Sequence, residues 1–509
     1  MRSSPSGLSR PFAAAALAGL CVFAAVRAAE PAPMPRPAPA LPLTVRPPAE
    51  LDQAIIAEVK AKSEIMKNLQ YLSDVIGPRL TGSKNLERAN KWTADKMKEY
   101  GLENVRLEPW EIPVGWERGV ARMKVVEPAT NSQLIVASGG WRPGTKGKIT
   151  APVVIVNPKT KDELAAFKGK LKDAVVLTNP PSSSAALEVA GGGKKGGRFG
   201  GGFPVDQEFL KAEGVACTVA DSGKPHGLLV TTGGWRGGDR GSQEQLPLLF
   251  MAHESYATLW RLAGRPDAVT KVEVEISNTF VPGPIVVNNT VGEVKGSEKP
   301  DEIVVVGAHL DSWELGSGTT DNGTGSCVVL EAARVVAKMA KDGKGPKRTI
   351  RFCLFTGEEQ GLHGSYKYVE RHKAQMDKHS MAIVHDTGTG KVTGFGLQGR
   401  ANVKTIMEPE LASLKELDGW TGLTMGGIGA GTDHWPFHQA GVPGFACNQE
   451  RDEYRLTHHT QSDTFDKAKE PNLIQGAQVM AVTAIRVANL PDLLPRNAAA
   501  KKAEEKKKD

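Results

Sequence analysis

The chain has 509 residues, 40% hydrophobic and 24% charged, so it is long enough to bury a sizeable core, and length alone suggests roughly two or three domains. Its formal charge of +7 owes much to the two ends. No basic stripe interleaved with aromatics runs through it, which argues against nucleic-acid binding.

In chain order, residues 1–29 read as an export signal. Arg2 and Arg10 precede an apolar run from Phe12 to Val26, and Val26-Arg27-Ala28 offers a cleavage site. The run is shorter than the ~20 residues of a membrane span, so the expected product is secreted or periplasmic, with no membrane anchor. A lipoprotein signal at Cys21 is disfavoured by Leu20, where a small residue is wanted. Residues 30–49 are a proline-rich linker. From Leu51 to Ile76 apolar residues fall at helical spacing, and Lys91–Tyr100 reads as another helix closed by Gly101. These belong to a first catalytic segment, 50–117.

From Arg118 to Ile276 short β-like runs follow one another (Val120–Val126, Gln133–Ala137, Ala151–Val156, Ala174–Thr178, Lys271–Ile276), so an inserted β-rich domain is expected at 118–276. The stretch Gly191–Gly202 lacks the ending of a phosphate-binding loop and reads as a mobile loop. The second catalytic segment, 277–496, contains the nearly continuous apolar runs Glu302–Leu310 and Thr349–Thr356, which suit strands buried on both faces. A helical pattern over Ser326–Lys341 separates them. Strand, helix, strand at this rhythm predicts an α/β domain with a largely parallel central sheet, whose chemistry gathers at the carboxyl ends of the strands. Residues 497–509 read as a disordered lysine-rich tail. Cys217, Cys327, Cys353 and Cys447 form no C-x-x-C pair and read as buried free thiols.

Nine of the eleven histidines follow position 300. His309 and Asp311 lie at the end of an apolar strand. If both share a strand face, Asp311 can accept a hydrogen bond from one ring nitrogen of His309 while the other binds a cation. Asp321 precedes a helix, where a carboxylate is also favoured for purely local reasons. Glu358 and Glu359 end the second buried strand; crowded there, like charges raise each other's pKa, and a nearby dication would remove the conflict. Asp386 follows the run Met381–Val384, and His458-His459 opens a polar segment. Each element alone is weak. Together they supply two histidines, three carboxylates and a spare glutamate, and with no thiolate in the set zinc is the leading metal.

The segments His309–Gly323 (HLDSWELGSGTTDNG), Glu358-Glu359-Gln360-Gly361, His385-Asp386-Thr387-Gly388 and His458–Thr464 (HHTQSDT) resemble metallopeptidase family 28. So do Leu80–Glu87, Gly101–Val105, Trp116–Gly119, Gly431-Thr432-Asp433 and Ala440–Pro443, and the likeness is weakest across Gly140–Gly241. The resemblance implies a phosphorylase/hydrolase-like zinc-peptidase domain with a protease-associated domain inserted at 118–276. It also implies two Zn2+ ions: His309 and Asp386 on one, Glu359 and His459 on the other, Asp321 bridging. Glu358 would be the general base and Asp311 the partner of His309. His458, Asp433 and His434 are candidate substrate contacts. Small peptides are the implied substrates. A homodimer stays open, as does the terminus released: His385 and the His434-Trp435 pair depart from the carboxypeptidase pattern, the latter toward the aminopeptidases of the family. Zinc deacylases with a similar ligand series place the bridging aspartate much further along than the twelve residues from His309 to Asp321. Single-zinc cyclases and ligand-free receptor members of the fold are disfavoured by the intact set.

Overall fold

In the computed structural model the described residues are 49–183, 205–235, 242–427 and 429–496. The export signal, most of the linker, the stretch Gly191–Gly202 and the lysine-rich tail lie outside them.

The run Glu302–Leu310 forms most of the strand Lys299–His309, and its alternation divides the core. Val304, Val306 and Ala308 face one buried cluster, while Ile303 and Val305 face another. Such a strand must be covered on both sides. Helices Thr324–Lys341 and Glu470–Ala488 cover the first face; His363–Arg371 and His434–Gln439 cover the second. Each fully buried Val or Ile contributes about 1.5–3 kcal/mol, so these strands anchor everything built on their ends.

The strand Lys299–His309 pairs in parallel with Arg348–Phe355 and with His379–Val384, which in turn pairs in parallel with Gly444–Gln449. The expected largely parallel sheet is therefore parallel at its centre. Its edges differ: Thr279–Val294 and Glu103–Glu117 add antiparallel on one side, and Val392–Gly396 joins antiparallel on the other, completing eight strands with Gly422–Thr424.

The N-terminal helices match the apolar spacing. Ala49–Lys62 is followed by Ile65–Gln70 and a wider turn, Tyr71–Ile76. The helix expected at Lys91–Tyr100 begins earlier, at Lys84, because Ser83 accepts a hydrogen bond from the Leu86 amide as its cap. Asp52 on the first helix is wholly buried and meets Arg486 on the last, with Nε 2.9 Å from Oδ1 and Nη2 2.6 Å from Oδ2. Removing one partner of such a pair strands a buried charge. Arg486→Ala is expected to cost about 3–5 kcal/mol, measurable as a lowered denaturation midpoint; an unmoved midpoint would show the pair to be energetically inert.

Between Glu117 and Thr279, which pair with each other, the chain builds a second eight-stranded sheet from Ala121 to Ile276. The β-like runs of the sequence all lie on its strands, with helices beside them. Four of its strands, Ile149–Ile155, Val175–Leu177, Cys217–Asp221 and Leu248–Met251, run parallel, and the helices Lys161–Ala165, Gln207–Ala212 and His253–Ala263 accompany them. Two of those helices span only five and six residues, too short to show a helical period. The four cysteines are buried and unpaired. No helix among the described residues is long and apolar enough to cross a membrane.

Candidate metal centre

Three neighbouring parallel strands deliver the site. His309 is the last residue of its strand, Glu358 and Glu359 follow Arg348–Phe355, and Asp386 follows His379–Val384. Asp321 comes from the turn Thr319–Gly323 ahead of the helix Thr324–Lys341, and His459 from the loop after the short helix Tyr454–Thr457.

These side chains converge as two groups that share Asp321. On one side His309 Nε2 lies 3.1 Å from Asp386 Oδ1 and 3.4 Å from Asp321 Oδ1. On the other, His459 Nε2 lies 2.8 Å from Glu359 Oε2 and 3.4 Å from Asp321 Oδ2. Each oxygen of Asp321 thus faces a different imidazole. His458 is stacked on His459 at 3.7 Å and comes within 3.8 Å of Asp321, but its side chain is 44% exposed and it does not pair with Glu359.

The electrostatics suit cations. Burial pushes the Glu359 carboxyl well above the usual carboxylate range, and the charge of Asp321 adds to the effect. Burial does the same to Glu358, opposed by His309 and reinforced by Asp386. Asp321 is held low although burial alone would raise it, because the imidazoles of His309, His458 and His459 outweigh that cost. Burial keeps His459 neutral, its pKa brought down to about 4, so a ring lone pair is free to bind a metal. Asp321 Oδ2 and Glu359 Oε1 are buried without a hydrogen-bond partner. Such atoms are costly unless something satisfies them, and a dication does.

Asp311 serves differently from the H-x-D expectation. His309 Nδ1 donates to the backbone carbonyl of Asp311 at 2.9 Å, while the nearest carboxylate oxygen is 3.6 Å away. The strand ends at His309, so the alternation that would set both side chains on one face no longer applies. The carboxylate instead accepts from Thr81 Oγ1 at 3.0 Å and from the amides of Glu358 and Glu359 at 3.3 Å each. It holds the turn that carries both glutamates. On the roles expected of these residues, Asp311→Ala should lower kcat by about 10–100-fold through misplacement of Glu358, with metal content unchanged. Steady-state kinetics with metal analysis checks this; loss of zinc with unchanged turnover per bound ion would contradict it.

Asp433 and His434, expected as candidate substrate contacts, are both wholly buried. Asp433 accepts from Ser365 Oγ at 2.5 Å and His434 Nε2 lies 2.8 Å from Gln398. Three residues without an expected role shape the centre. Asp463, close behind His458-His459 in the chain, accepts from the amides of Thr320 and Asp321 at 2.5 and 3.1 Å and so orients the shared aspartate. Arg79, fully buried, donates to the carbonyls of Leu310, Ser317 and Gly318 at 2.7, 2.9 and 2.6 Å and folds the loop leading to Asp321. Trp313 lines a narrow cleft together with Asp321, Glu359, His459, Thr460 and Asp463. Asp463 was visible within the HHTQSDT motif; Arg79, over 200 residues from the loop it folds, carried no local signal.

Residues 289–484 match peptidase family M28. Carboxypeptidase Q of Mus musculus is 32% identical over 438 residues, covering 86% of this chain and 88% of that one. The solved structure of a peptidase M28 precursor from Shewanella amazonensis SB2B aligns with a TM-score of 0.73 at 26% identity, over 88% of this chain and 98% of that chain. The zinc aminopeptidase BSAP from Bacillus subtilis shares the fold, with a TM-score of 0.59 at 19% identity over 82% and 93% of the two chains. Likeness to the mouse protein across most of both chains, with the M28 match spanning every candidate ligand position, means that the chain belongs to peptidase family M28 and is a metallo-exopeptidase.

Proposed function

We propose that this peptidase is a dinuclear zinc enzyme that hydrolyses small peptides. His309 and Asp386 would hold one ion, Glu359 and His459 the other, and Asp321 both. The observation that carries this reading is Asp321 itself, with one oxygen 3.4 Å from each imidazole and Oδ2 otherwise unpartnered. Three carboxylates against two dications leave a single positive charge, which one hydroxide neutralises. Zinc suits this imidazole and carboxylate set, and the Bacillus subtilis aminopeptidase of the same fold is a zinc enzyme.

Zinc bound there would polarise the scissile carbonyl and lower the pKa of water to about 7. The protein supplies the proton transfers. Glu358, held through its amide by Asp311, removes a proton from the attacking water and returns it to the leaving amine, a task suited to a carboxyl whose pKa burial has raised. His458, half exposed and stacked on His459, faces incoming substrate.

Likeness to carboxypeptidase Q over most of both chains favours a carboxypeptidase or dipeptidase, with an aminopeptidase as the alternative. A ligand-free receptor role is disfavoured, because every ligand side chain is present and converges. The sheet of Ala121–Ile276 would correspond to the protease-associated insert, and the N-terminal signal would export the enzyme to the periplasm or beyond.

Dipeptides and tripeptides with either end blocked, assayed with and without chelator, test the reading. We expect chelator to abolish hydrolysis and added zinc to restore it. Undiminished cleavage after exhaustive chelation would overturn the assignment of a metal enzyme.

A further inference from the structure

Lys224 lies in the loop after the strand Cys217–Asp221, more than 200 residues from the histidine pair, yet the fold brings it to the metal centre. The surrounding loop is stitched to the segment that carries His459. The Leu229 amide donates to Gln461 Oε1 at 2.8 Å, Gln461 Nε2 to Gly227 O at 3.1 Å, and the Thr231 amide to His459 O at 2.9 Å. Val230 pairs with Thr460 as an isolated β-bridge. Held this way, Lys224 Nζ donates to His458 O at 2.6 Å, directly beside a ligand position.

An ammonium has three donors. Among the described residues that carbonyl is its one hydrogen-bond partner, and no carboxylate lies within 4.0 Å of it. A partly buried cation without a counter-ion is expensive. The carboxylates nearby each have another partner: Asp321, Glu359 and Asp386 the imidazoles, Asp463 the Thr320 and Asp321 amides, and Glu314 Arg118 at 3.1 Å. Beside the ligand loop the protein thus offers an ammonium with donors to spare, held on His458 O and under the charge of Asp321 and Asp463 from beyond contact distance.

We propose that Lys224 binds the free α-carboxylate of a short peptide, so that the enzyme acts at the carboxyl terminus. The proposal rests on the peptidase reading above. One residue spans at most about 3.6 Å, so a carboxylate next to the scissile bond is the one that can reach a cation adjoining the ligand loop. An α-amine presented at the same place would meet like charge.

The test compares a dipeptide bearing a free carboxylate with its C-terminal amide on zinc-loaded full-length protein. Wild type should favour the acid in kcat/KM by at least about 30-fold. Lys224→Met should bring that ratio close to one, mainly through KM for the acid, and Lys224→Arg should keep most of it. A merely stapling lysine would weaken both substrates together and leave the ratio unmoved, which overturns the proposal; so does a wild-type preference for the amide. Calorimetry with an N-acetyl amino acid gives a readout independent of turnover. Binding should be at least tenfold weaker in Lys224→Met, and equal affinity in the two proteins overturns the assignment. If wild type cleaves neither peptide with zinc bound, the peptidase reading fails, while the calorimetric arm still decides the role of Lys224.

Discussion

Glu358→Gln should lower kcat by about 10²–10⁴-fold and leave two zinc ions per chain. The change is nearly isosteric and removes a carboxylate whose ionised form burial disfavours, so the fold has little reason to suffer. Glu358 forms no ion pair with His309 or His459, whereas its neighbour Glu359 reaches His459 Nε2 at 2.8 Å. The two adjacent glutamates therefore separate cleanly. Glu359→Gln should release the ion shared with His459, while Glu358→Gln should retain both and lose the proton transfer. Elemental analysis beside steady-state kinetics reads the difference. A Glu358→Gln protein with full turnover would remove this residue as the base.

The second large effect is expected at Asp321. Its two oxygens face separate imidazoles, and no other carboxylate pairs with both. Asp321→Ala should lose both ions together and abolish hydrolysis, well beyond the about 10–100-fold that follows from disturbing a group behind the ligands. Zinc titration followed by thermal denaturation supplies a second readout. Ligand at 100 times its Kd stabilises the folded state by about 2.7 kcal/mol, and the variant should lose that zinc-dependent rise in Tm. A variant that still binds one zinc tightly would show that the ions are held independently.

Much of this centre was legible in the sequence because strand ends punctuate it. The run Glu302–Leu310 is apolar from Ile303 to Ala308, and the first polar side chains after that stretch, His309 and Asp311, emerge at the carboxyl end of a parallel strand. The same logic located Glu358, Glu359 and Asp386. The choice of His459 over His458 came from motif position, and the contact with Glu359 is what favours it in the fold.

What was not legible depended on partners distant in sequence or on where a strand stops. Strand alternation pairs Asp311 with His309, but the strand ends two residues short of Asp311, whose carboxylate turns to the Glu358 and Glu359 amides. Asp433 and His434 rest on motif position, which carries no information on burial, and the fold buries both. Two of the three helices beside the second sheet, of five and six residues, carry too little periodicity to show in the sequence. Lys224 and Arg79 carry no local signature at all, since each acquires its role from loops more than 200 residues away.

Anomalous diffraction at the zinc edge from crystals of the metal-loaded protein addresses the central claim most directly. Two peaks are predicted, one bounded by His309, Asp386 and Asp321, the other by Glu359, His459 and Asp321. A single peak, or a second peak out of reach of Asp321, would contradict a dinuclear centre built on a shared aspartate.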